Sequence, residues 1–262
     1  MPLENLLAIL DVWLPGQNWS QVAFVFAAAT IAGLARGFSG FGGALIFVPL
    51  AGAAMSPRIA SALLLIIDST TTLGMLPQAW KKANRREVGT MLIGALFGVP
   101  LGTALLALAE PVTLRWIISI VVLLLLAFLM SGWRYHGRPK VPLTIGVGWL
   151  AGLFGGAAQM SGPPVVAYWL GGAIAPTTVR ANLVIYFALS TVISATSYII
   201  GGILTIDVLA LAILIAPGYG AGLFIGSHLF GFASENTFRR ICYTLIALAG
   251  LVGMPFFDTF IR

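Results

Sequence analysis

The chain has 262 residues, of which 59% are hydrophobic and only 8% are charged, and its mean hydropathy is +1.01. This composition excludes an ordinary soluble domain and is typical of a chain that lies mostly in lipid. The net charge of +6 does not indicate a nucleic-acid partner, because most basic residues are confined to three short connections between apolar segments. We therefore predict a single transmembrane domain over residues 1–262, surrounded by the lipid bilayer.

Eight apolar segments follow one another along the chain, after a short amphipathic lead-in that lacks the basic cluster of a signal peptide. The segments cover residues 20–55, 58–80, 88–109, 113–133, 141–172, 177–202, 206–231 and 238–257. Six of them have the length of a single membrane crossing. The first and the fifth are too long, because an unbroken helix over residues 20–55 would extend about 54 Å across a hydrocarbon core of about 30 Å.

The two long segments contain similar glycine clusters. The stretches 33–43 and 148–156 share the pattern G-x-x-x-G-x-x-G at a constant offset of 115 positions. Because each interior glycine weakens a helix by about 1 kcal/mol relative to alanine, we expect both helices to be interrupted at these clusters. In the alternative interpretation, the glycines allow neighbouring helices to pack closely.

The distribution of charge predicts the topology. Basic residues concentrate in three connections, which the positive-inside rule assigns to the cytoplasm: Lys81, Lys82, Arg85 and Arg86; Arg134, Arg138 and Lys140; Arg239 and Arg240. This assignment holds if each long segment enters and leaves the membrane on one side as a re-entrant hairpin, with both termini outside. Arg58 and Arg115 are then exceptions in outer loops. A kinked full crossing is the alternative to each hairpin.

With two hairpins, each half of the chain contains one hairpin and three crossings, so the second half is inserted upside down relative to the first. The predicted fold class is an all-α membrane protein of two inverted repeats, residues about 20–133 and 141–257. Inverted repeats with broken helices at matched positions are typical of secondary transporters that bind their substrate near the midplane.

Two further motifs carry a resemblance to a known family. The first glycine cluster is followed by the apolar run Ala44-Leu45-Ile46-Phe47-Val48-Pro49-Leu50, and the second half contains Val179-Arg180-Ala181-Asn182-Leu183-Val184-Ile185-Tyr186-Phe187. Over nearly its whole length the chain resembles the sulfite exporter TauE/SafE family, also called toluene sulfonate uptake permeases. In the second half, however, the stretch 159–164 replaces the glycine triplet expected for the family.

The resemblance implies a multi-pass protein of a bacterial inner membrane that transports sulfite, sulfonates or related sulfur-containing anions. The motifs identify neither the particular anion nor the oligomeric state.

The helix restarts after the two breaks are the predicted contact points for the anion. Helix N-termini carry unpaired N–H groups and a partial positive charge, which suits an anion. The first restart is at Gly42 and Gly43, and the second is at Ser161 and Gly162, where Ser161 also fits a helix N-cap. The predicted substrate-binding residues are Arg36, Ser39, Gly42, Gly43, Gln159, Ser161, Gly162 and Arg180.

Two charges fall within the apolar segments, where a charge is costly and therefore a functional candidate. Arg36 could attract a sulfonate, or it could stabilise the C-terminal end of its own helix. Asp68 could carry protons or form a buried ion pair with Arg36, and we favour the pair. Arg180, at the cytoplasmic start of its helix, could guide the anion or simply mark the topology.

The membrane potential favours export. With the inside negative, about 2.3 kcal/mol per 100 mV drives each negative charge outward, so export needs no coupling ion. The alternative is proton-coupled uptake of another small organic or inorganic anion through Asp68. We expect no enzyme activity, cofactor or metal, because no paired carboxylates, His/Cys cluster or Ser–His pair is visible. A membrane scaffold or sensor would not explain two matched breaks.

Overall fold

The computed structural model describes residues 18–72, 76–137, 139–170, 175–229 and 235–257. Over these residues the chain is helical and contains no strand, as the composition predicts. The helices are α1 Trp19–Ser39, α2 Gly43–Ala54, α3 Pro57–Thr72, α4 Leu76–Lys82, α5 Arg85–Leu108, α6 Pro111–Met130, α7 Val141–Ala158, α8 Gly162–Leu170, α9 Pro176–Ile200, α10 Ile206–Leu229 and α11 Glu235–Val252, with a 3-10 turn at Pro255–Phe257.

Local chemistry explains several helix starts. Asn18 accepts a hydrogen bond from the Ser20 N–H, and Gln21 reaches back to the Asn18 N–H, so α1 begins with a capping box. Asn84 caps α5 by accepting from the Glu87 N–H at 3.3 Å. Proline opens α6, α7 and α9, in the first turn where its missing N–H costs nothing.

Six of the described helices are long and apolar enough to cross a bilayer, namely α1, α5, α6, α7, α9 and α10. The predicted segment 58–80 contains α3 and most of α4, and residues 73–75 between them lie outside the described residues. The last predicted segment corresponds to α11, whose first two turns contain Arg239 and Arg240. The chain is therefore a multi-pass membrane protein, although fewer helices than the eight predicted segments meet the criteria for a span.

Both long segments are broken, and the helices restart at Gly43 and Gly162, as the sequence predicts. Gly33 and Gly37 lie within α1, and the chain reverses only at Gly40 and Gly42, which have left-handed φ angles of 75° and 96°. The second break follows α7 at Gln159, which has a φ of 58°. The interruption expected at the first cluster is confirmed at Gly40 and Gly42, whereas Gly33, Gly37 and the glycines of the second cluster remain helical.

Close helix packing is the reason that those glycines remain helical. The closest helix pairs are α1 with α10 and α5 with α7. A Cβ atom on Gly33 would lie 2.2 Å from the Tyr219 carbonyl oxygen, and one on Gly98 would lie 2.1 Å from that of Trp149. Similar distances occur at Gly37, Gly94, Gly102, Gly148, Gly156, Gly222 and Gly226. Backbone contact between the helices thus offsets the weak helix propensity of glycine.

The helix ends also correct the register between the two hairpins. Ser39 and Ala158 end the first helix of each hairpin, and Gly43 and Gly162 begin the second; both pairs are 119 positions apart (158 minus 39 and 162 minus 43). The glycine pattern suggests 115 positions, which is about one helical turn less.

Each break folds the second helix back along the first. A Cβ atom on Gly43 would lie 3.2 Å from both the Ala32 carbonyl oxygen and the Arg36 Cβ, so α2 begins against the last turns of α1. In the second hairpin, the Tyr135 N–H donates to the Ala167 carbonyl at 3.2 Å. Since Tyr135 lies in the connection that precedes α7, helix α8 returns towards the level at which α7 begins.

The two arginines that depart from the predicted charge pattern have local partners. Arg58 donates from Nε to the Leu106 carbonyl and from Nη2 to the Ala109 carbonyl, both at 3.0 Å. Arg115 donates from Nε to the Gly253 carbonyl at 3.2 Å. These carbonyls lie at the C-terminal ends of α5 and α11, where acceptors lack intrahelical partners and a cation stabilises the helix dipole. Helix capping therefore explains both exceptions.

Candidate functional site

A central cavity of about 60 Å³ lies between the two helix breaks. Eight helices, or the breaks between them, contribute to its wall. Its polar and glycine lining consists of Arg36, Gly42, Gly43, Asp68, Gly152, Gly155, Gln159, Ser161, Gly162, Ser190, Thr191, Ser194 and Tyr219. The two glycine-rich regions, which are more than a hundred positions apart in sequence, therefore meet at one site.

An ion pair forms one side of the cavity. Arg36 donates from Nε to Asp68 Oδ1 and from Nη2 to Asp68 Oδ2, both at 3.1 Å, which is bidentate geometry. Arg36 Nη1 also donates to the carbonyl oxygen of Gly40 within the first break. The side chains of Arg36 and Asp68 retain 16% and 30% exposure, respectively. The arginine charge is thus balanced by Asp68, and its side chain is tied to the reversal that follows α1.

Tyr219 extends the ion pair to α10. Its hydroxyl donates to Asp68 Oδ1 at 2.6 Å, and the ring of Phe187 lies 5.6 Å from Arg36 Cζ. The cluster of Arg36, Asp68 and Tyr219 therefore joins α1, α3 and α10 around one carboxylate. Because charge-assisted bonds are stronger than neutral ones, this cluster fixes the relative positions of the three helices at the cavity.

The first restart borders the cavity with the N-terminal end of α2. Gly42 is the N-cap of α2, and no side chain of the described residues caps this helix. The first N–H groups of a helix have no intrahelical acceptor and carry a partial positive charge. Gly42, Gly43 and Ala44 all line the cavity. A small oxyanion at this position would therefore meet backbone donors without a side chain in between.

The second restart has no charged side chain, and hydrogen bonds to Tyr198 of α9 hold it in place. Gln159 Nε2 donates to the Tyr198 hydroxyl at 3.2 Å, and that hydroxyl donates to the Gly156 carbonyl at 2.8 Å. Ser161 directly precedes α8, whose first turn contains two prolines. A Cβ atom on Gly162 would lie 3.3 Å from the Phe41 Cβ, so the two breaks touch each other.

The cavity brings together most of the predicted site residues. Arg36, Gly42, Gly43, Asp68, Gln159, Ser161 and Gly162 line it, and Arg36 and Asp68 form the pair that the sequence analysis favours. Arg180 does not line it; it is exposed at the start of α9, beside Lys82 and Gln78 in a separate cavity of about 340 Å³. Ser39 ends α1, and its side chain lies outside the described residues. Roles in substrate binding stay predictions for all of them.

Sequence reasoning missed the contribution of α9 and α10. Ser190 and Ser194 are 7% and 2% exposed and line the cavity together with Thr191. Their spacing of four positions puts both hydroxyls on one helix face, a signal that could have found them. Tyr219 offered no such signal, because its partner Asp68 is 151 positions away.

These features define a class, a multi-pass helical membrane protein with a small polar cavity between two broken helices. A family comparison identifies the particular protein family: the chain belongs to the sulfite exporter TauE/SafE family, whose model matches residues 25–252. This confirms the resemblance seen in the sequence. The curated proteins and the solved structures gave no significant match. Family membership implies a membrane transporter of sulfur-containing anions rather than an enzyme.

Proposed function

We propose that the protein is a secondary transporter that exports a small sulfur-containing anion, such as sulfite or a small organosulfonate, through the central cavity. The observation that carries this proposal is the convergence of two helix restarts and a guanidinium on one small cavity. Helix N-termini and arginine are the groups that proteins use to bind oxyanions.

The size of the cavity supports a small anion. A cavity needs roughly 10–15 Å³ to hold one water molecule, so a cavity of about 60 Å³ has room for a handful of water-sized groups. Sulfite matches this size, whereas an aromatic sulfonate requires the walls to move apart.

The donors available to the anion are mainly neutral. Arg36 uses at least three of its five N–H groups on Asp68 and Gly40, which leaves at most two for a ligand. The remaining donors are the backbone N–H groups of the restarts, the Gln159 amide and the hydroxyls of Ser161, Ser190, Thr191 and Ser194. Because these donors carry no net charge, the site can release the anion after binding it. A transporter requires such reversible binding.

We further propose that the two halves, residues about 20–133 and 141–257, form an inverted repeat. Two matched sets of glycine contacts support it. Gly33 packs against Tyr219 and Leu223 of α10, and Gly152 packs against Ala95 and Val99 of α5. The hairpin of each half thus uses a glycine at an equivalent position to pack on a long helix of the other half, α10 or α5. Inverted repeats of this type allow a site to be opened to each side of the membrane in turn.

The charge distribution supports the orientation. We assign the end of the molecule that carries α4 and the start of α5, with Lys81, Lys82, Arg85 and Arg86, to the cytoplasm, and we call it the basic end. An inside-negative potential then drives a monovalent anion outward by about 2.3 kcal/mol per 100 mV.

The second candidate function is proton-coupled uptake of a small anion through Asp68. The contact of this carboxylate with the cavity favours it. The bidentate pair with Arg36 argues for export instead, because both oxygens of the carboxylate already accept hydrogen bonds from a fixed cation.

Flux measurements with purified protein in liposomes test the proposal. We expect efflux of labelled sulfite that accelerates with an inside-negative potential and does not depend on a pH gradient. Efflux that requires a pH gradient would support the coupled alternative. Absence of flux for sulfite and for short organosulfonates would contradict the proposed function.

A further inference from the structure

A second cavity of about 280 Å³ lies beside the first break, and nothing in the proposed transport site uses it. Its wall is formed by the end of α1, the end of α6, α8 and α11. Apolar side chains such as Phe38, Phe128 and Ile246 form most of the wall. Arg134 and Arg239, which belong to two of the basic connections, line it as well.

The charge of this cavity is positive. Arg134 and Arg239 are both exposed, and no acidic residue is among its described lining residues. The guanidinium of Arg239 lies 5.4 Å from the ring centre of Tyr243, whose hydroxyl donates to the Leu129 carbonyl at 3.2 Å. Arg239 is therefore held at the cavity by a ring that is itself anchored to α6. Apolar walls around two cations focus the electric field and raise the local concentration of anions.

One layer of the chain separates this cavity from the central one. Phe41 and Gly42, at the first break, line both cavities. The Phe41 side chain also packs near Gly162 at the second restart, where an added Cβ atom would meet it at 3.3 Å. The Phe41 side chain therefore lies between the two cavities, beside the second restart.

We propose that the cavity lined by Arg134 and Arg239 is a vestibule that collects small oxyanions, sulfonates and sulfite among them, and that Phe41 is the gate between it and the central cavity. The role of the gate rests on the proposed transport function. The capture of anions by the vestibule does not, because it depends only on the two arginines and the shape of the cavity.

The only cysteine of the chain provides a probe that needs no engineering. Cys242 lines the vestibule and is 7% exposed. Two membrane-impermeant methanethiosulfonate reagents of similar size, one with a sulfonate and one with a trimethylammonium group, form a mixed disulfide with it and release methanesulfinate. Their rates, each divided by the rate with a free thiol in solution, measure the charge preference of the vestibule.

We expect the sulfonate reagent to label Cys242 of the intact protein in nanodiscs about tenfold faster than the cationic reagent, and the preference to fall as salt is raised. The double variant Arg134→Gln/Arg239→Gln should lose the preference. Arg240→Gln is the matched control, since Arg240 neighbours Arg239 but does not line the cavity, and it should keep the preference. Equal rates for both reagents, no labelling, or an unchanged preference in the double variant would overturn the vestibule.

The gate is tested with Ser190→Cys in a Cys242→Ala background, because Ser190 lines the central cavity only. Phe41→Ala should increase the rate at which the sulfonate reagent, added from the basic end of oriented vesicles, labels position 190 by about tenfold. Phe41→Leu, which keeps the bulk, should change it little. The same rate in all three backgrounds would show that Phe41 is not the barrier.

These outcomes separate the two proposals. A charge preference at Cys242 without any sulfite flux would leave the vestibule standing and contradict the proposed function. Sulfite flux without a charge preference at Cys242 would support the proposed function and contradict the vestibule. If both hold, Arg134→Gln/Arg239→Gln should raise the KM for anion offered from the basic end severalfold while the maximal rate changes little.

Discussion

The two hairpins share a backbone plan but differ in the chemistry that holds them. In the register set by the helix ends, Gly40 corresponds to Gln159 and Arg36 corresponds to Gly155. The first break is tied by a charged cluster to α3 and α10, whereas the second is tied by neutral hydrogen bonds to Tyr198 of α9. The comparison teaches that two helix breaks of similar backbone geometry do not require the same electrostatic support.

The charged cluster of the first hairpin gives the largest expected effect. Arg36→Ala removes the cation that balances Asp68 inside the membrane domain, and breaking such a pair costs about 3 kcal/mol or more. We expect a clear fall in thermal stability and loss of measurable sulfite flux.

The double variant Arg36→Ala/Asp68→Ala separates the two effects. It should recover much of the stability, because no unpaired charge remains, but it should not recover the flux. Thermal unfolding in detergent and liposome efflux measure the two quantities. Full flux in the double variant would show that the cluster has only a structural role.

Helix packing gives the next effect, which should be equal in the two hairpins. Gly98→Ala forces α5 away from α7, and Gly222→Ala forces α10 away from α1, because each added Cβ would lie about 2 Å from a backbone oxygen. Each should lower stability by about 1–3 kcal/mol.

Both packing variants have matched controls on the same helices. A Cβ atom on Gly89 of α5 or on Gly220 of α10 would meet no atom within 4 Å. Gly89→Ala and Gly220→Ala should therefore be neutral or slightly stabilising. If only one of the two packing variants is destabilised, the hairpins are not equivalent in packing, and the inverted-repeat proposal is weakened.

A pair of tyrosine variants separates support of the fold from support of the site. Tyr198→Phe leaves the Gly156 carbonyl and the Gln159 amide without their partner, so stability should fall by about 1–3 kcal/mol. Tyr219→Phe leaves Asp68 with both Arg36 bonds, so stability should fall by less.

The flux of these variants should follow the opposite order. Tyr219→Phe removes a donor from the carboxylate at the cavity and should lower sulfite flux severalfold, whereas Tyr198→Phe should transport at a rate close to that of the unaltered protein once it is folded. If stability and sulfite flux fall in the same order for the two variants, Tyr198 does not support mainly the fold and Tyr219 does not support mainly the site.

The smallest effects are expected for the left-handed residues themselves. Gly40 faces open space, so Gly40→Ala adds only the backbone cost of a positive φ, about 1–2 kcal/mol. Gln159→Gly removes the backbone cost of a positive φ at the second break, but it also loses the hydrogen bond to Tyr198. The gain and the loss in stability therefore largely cancel. Thermal unfolding should show a modest loss for the first variant and little change for the second.

The sequence by itself determined the class of the protein, the approximate extent of its helices and the neighbourhood of both breaks. These are local properties, since the hydropathy of 20 consecutive residues decides whether they suit a bilayer. The family motifs are also local, and residues 25–252 match the family model that they indicate.

Only the tertiary structure decided the register of the hairpins. A G-x-x-x-G pattern repeats after four positions, so shifting one copy by a helical turn still superimposes glycines. The helix ends remove this ambiguity, because Ser39 and Ala158 end the first helix of each hairpin 119 positions apart. The sequence alone could not supply these ends, because a glycine pattern within one helix contains no information about which backbone packs against it and keeps it helical.

The tertiary structure likewise decided which polar residues share the cavity. Asp68 lies 32 positions from Arg36 and 151 from Tyr219, and Ser190 reaches the same site from a helix of the other half. Arg180, a predicted substrate-binding residue, starts the same helix as Ser190 and yet lies outside the cavity. In a membrane domain that is apolar almost throughout, hydropathy cannot distinguish the interior from the lipid-facing surface. Helix packing makes that distinction.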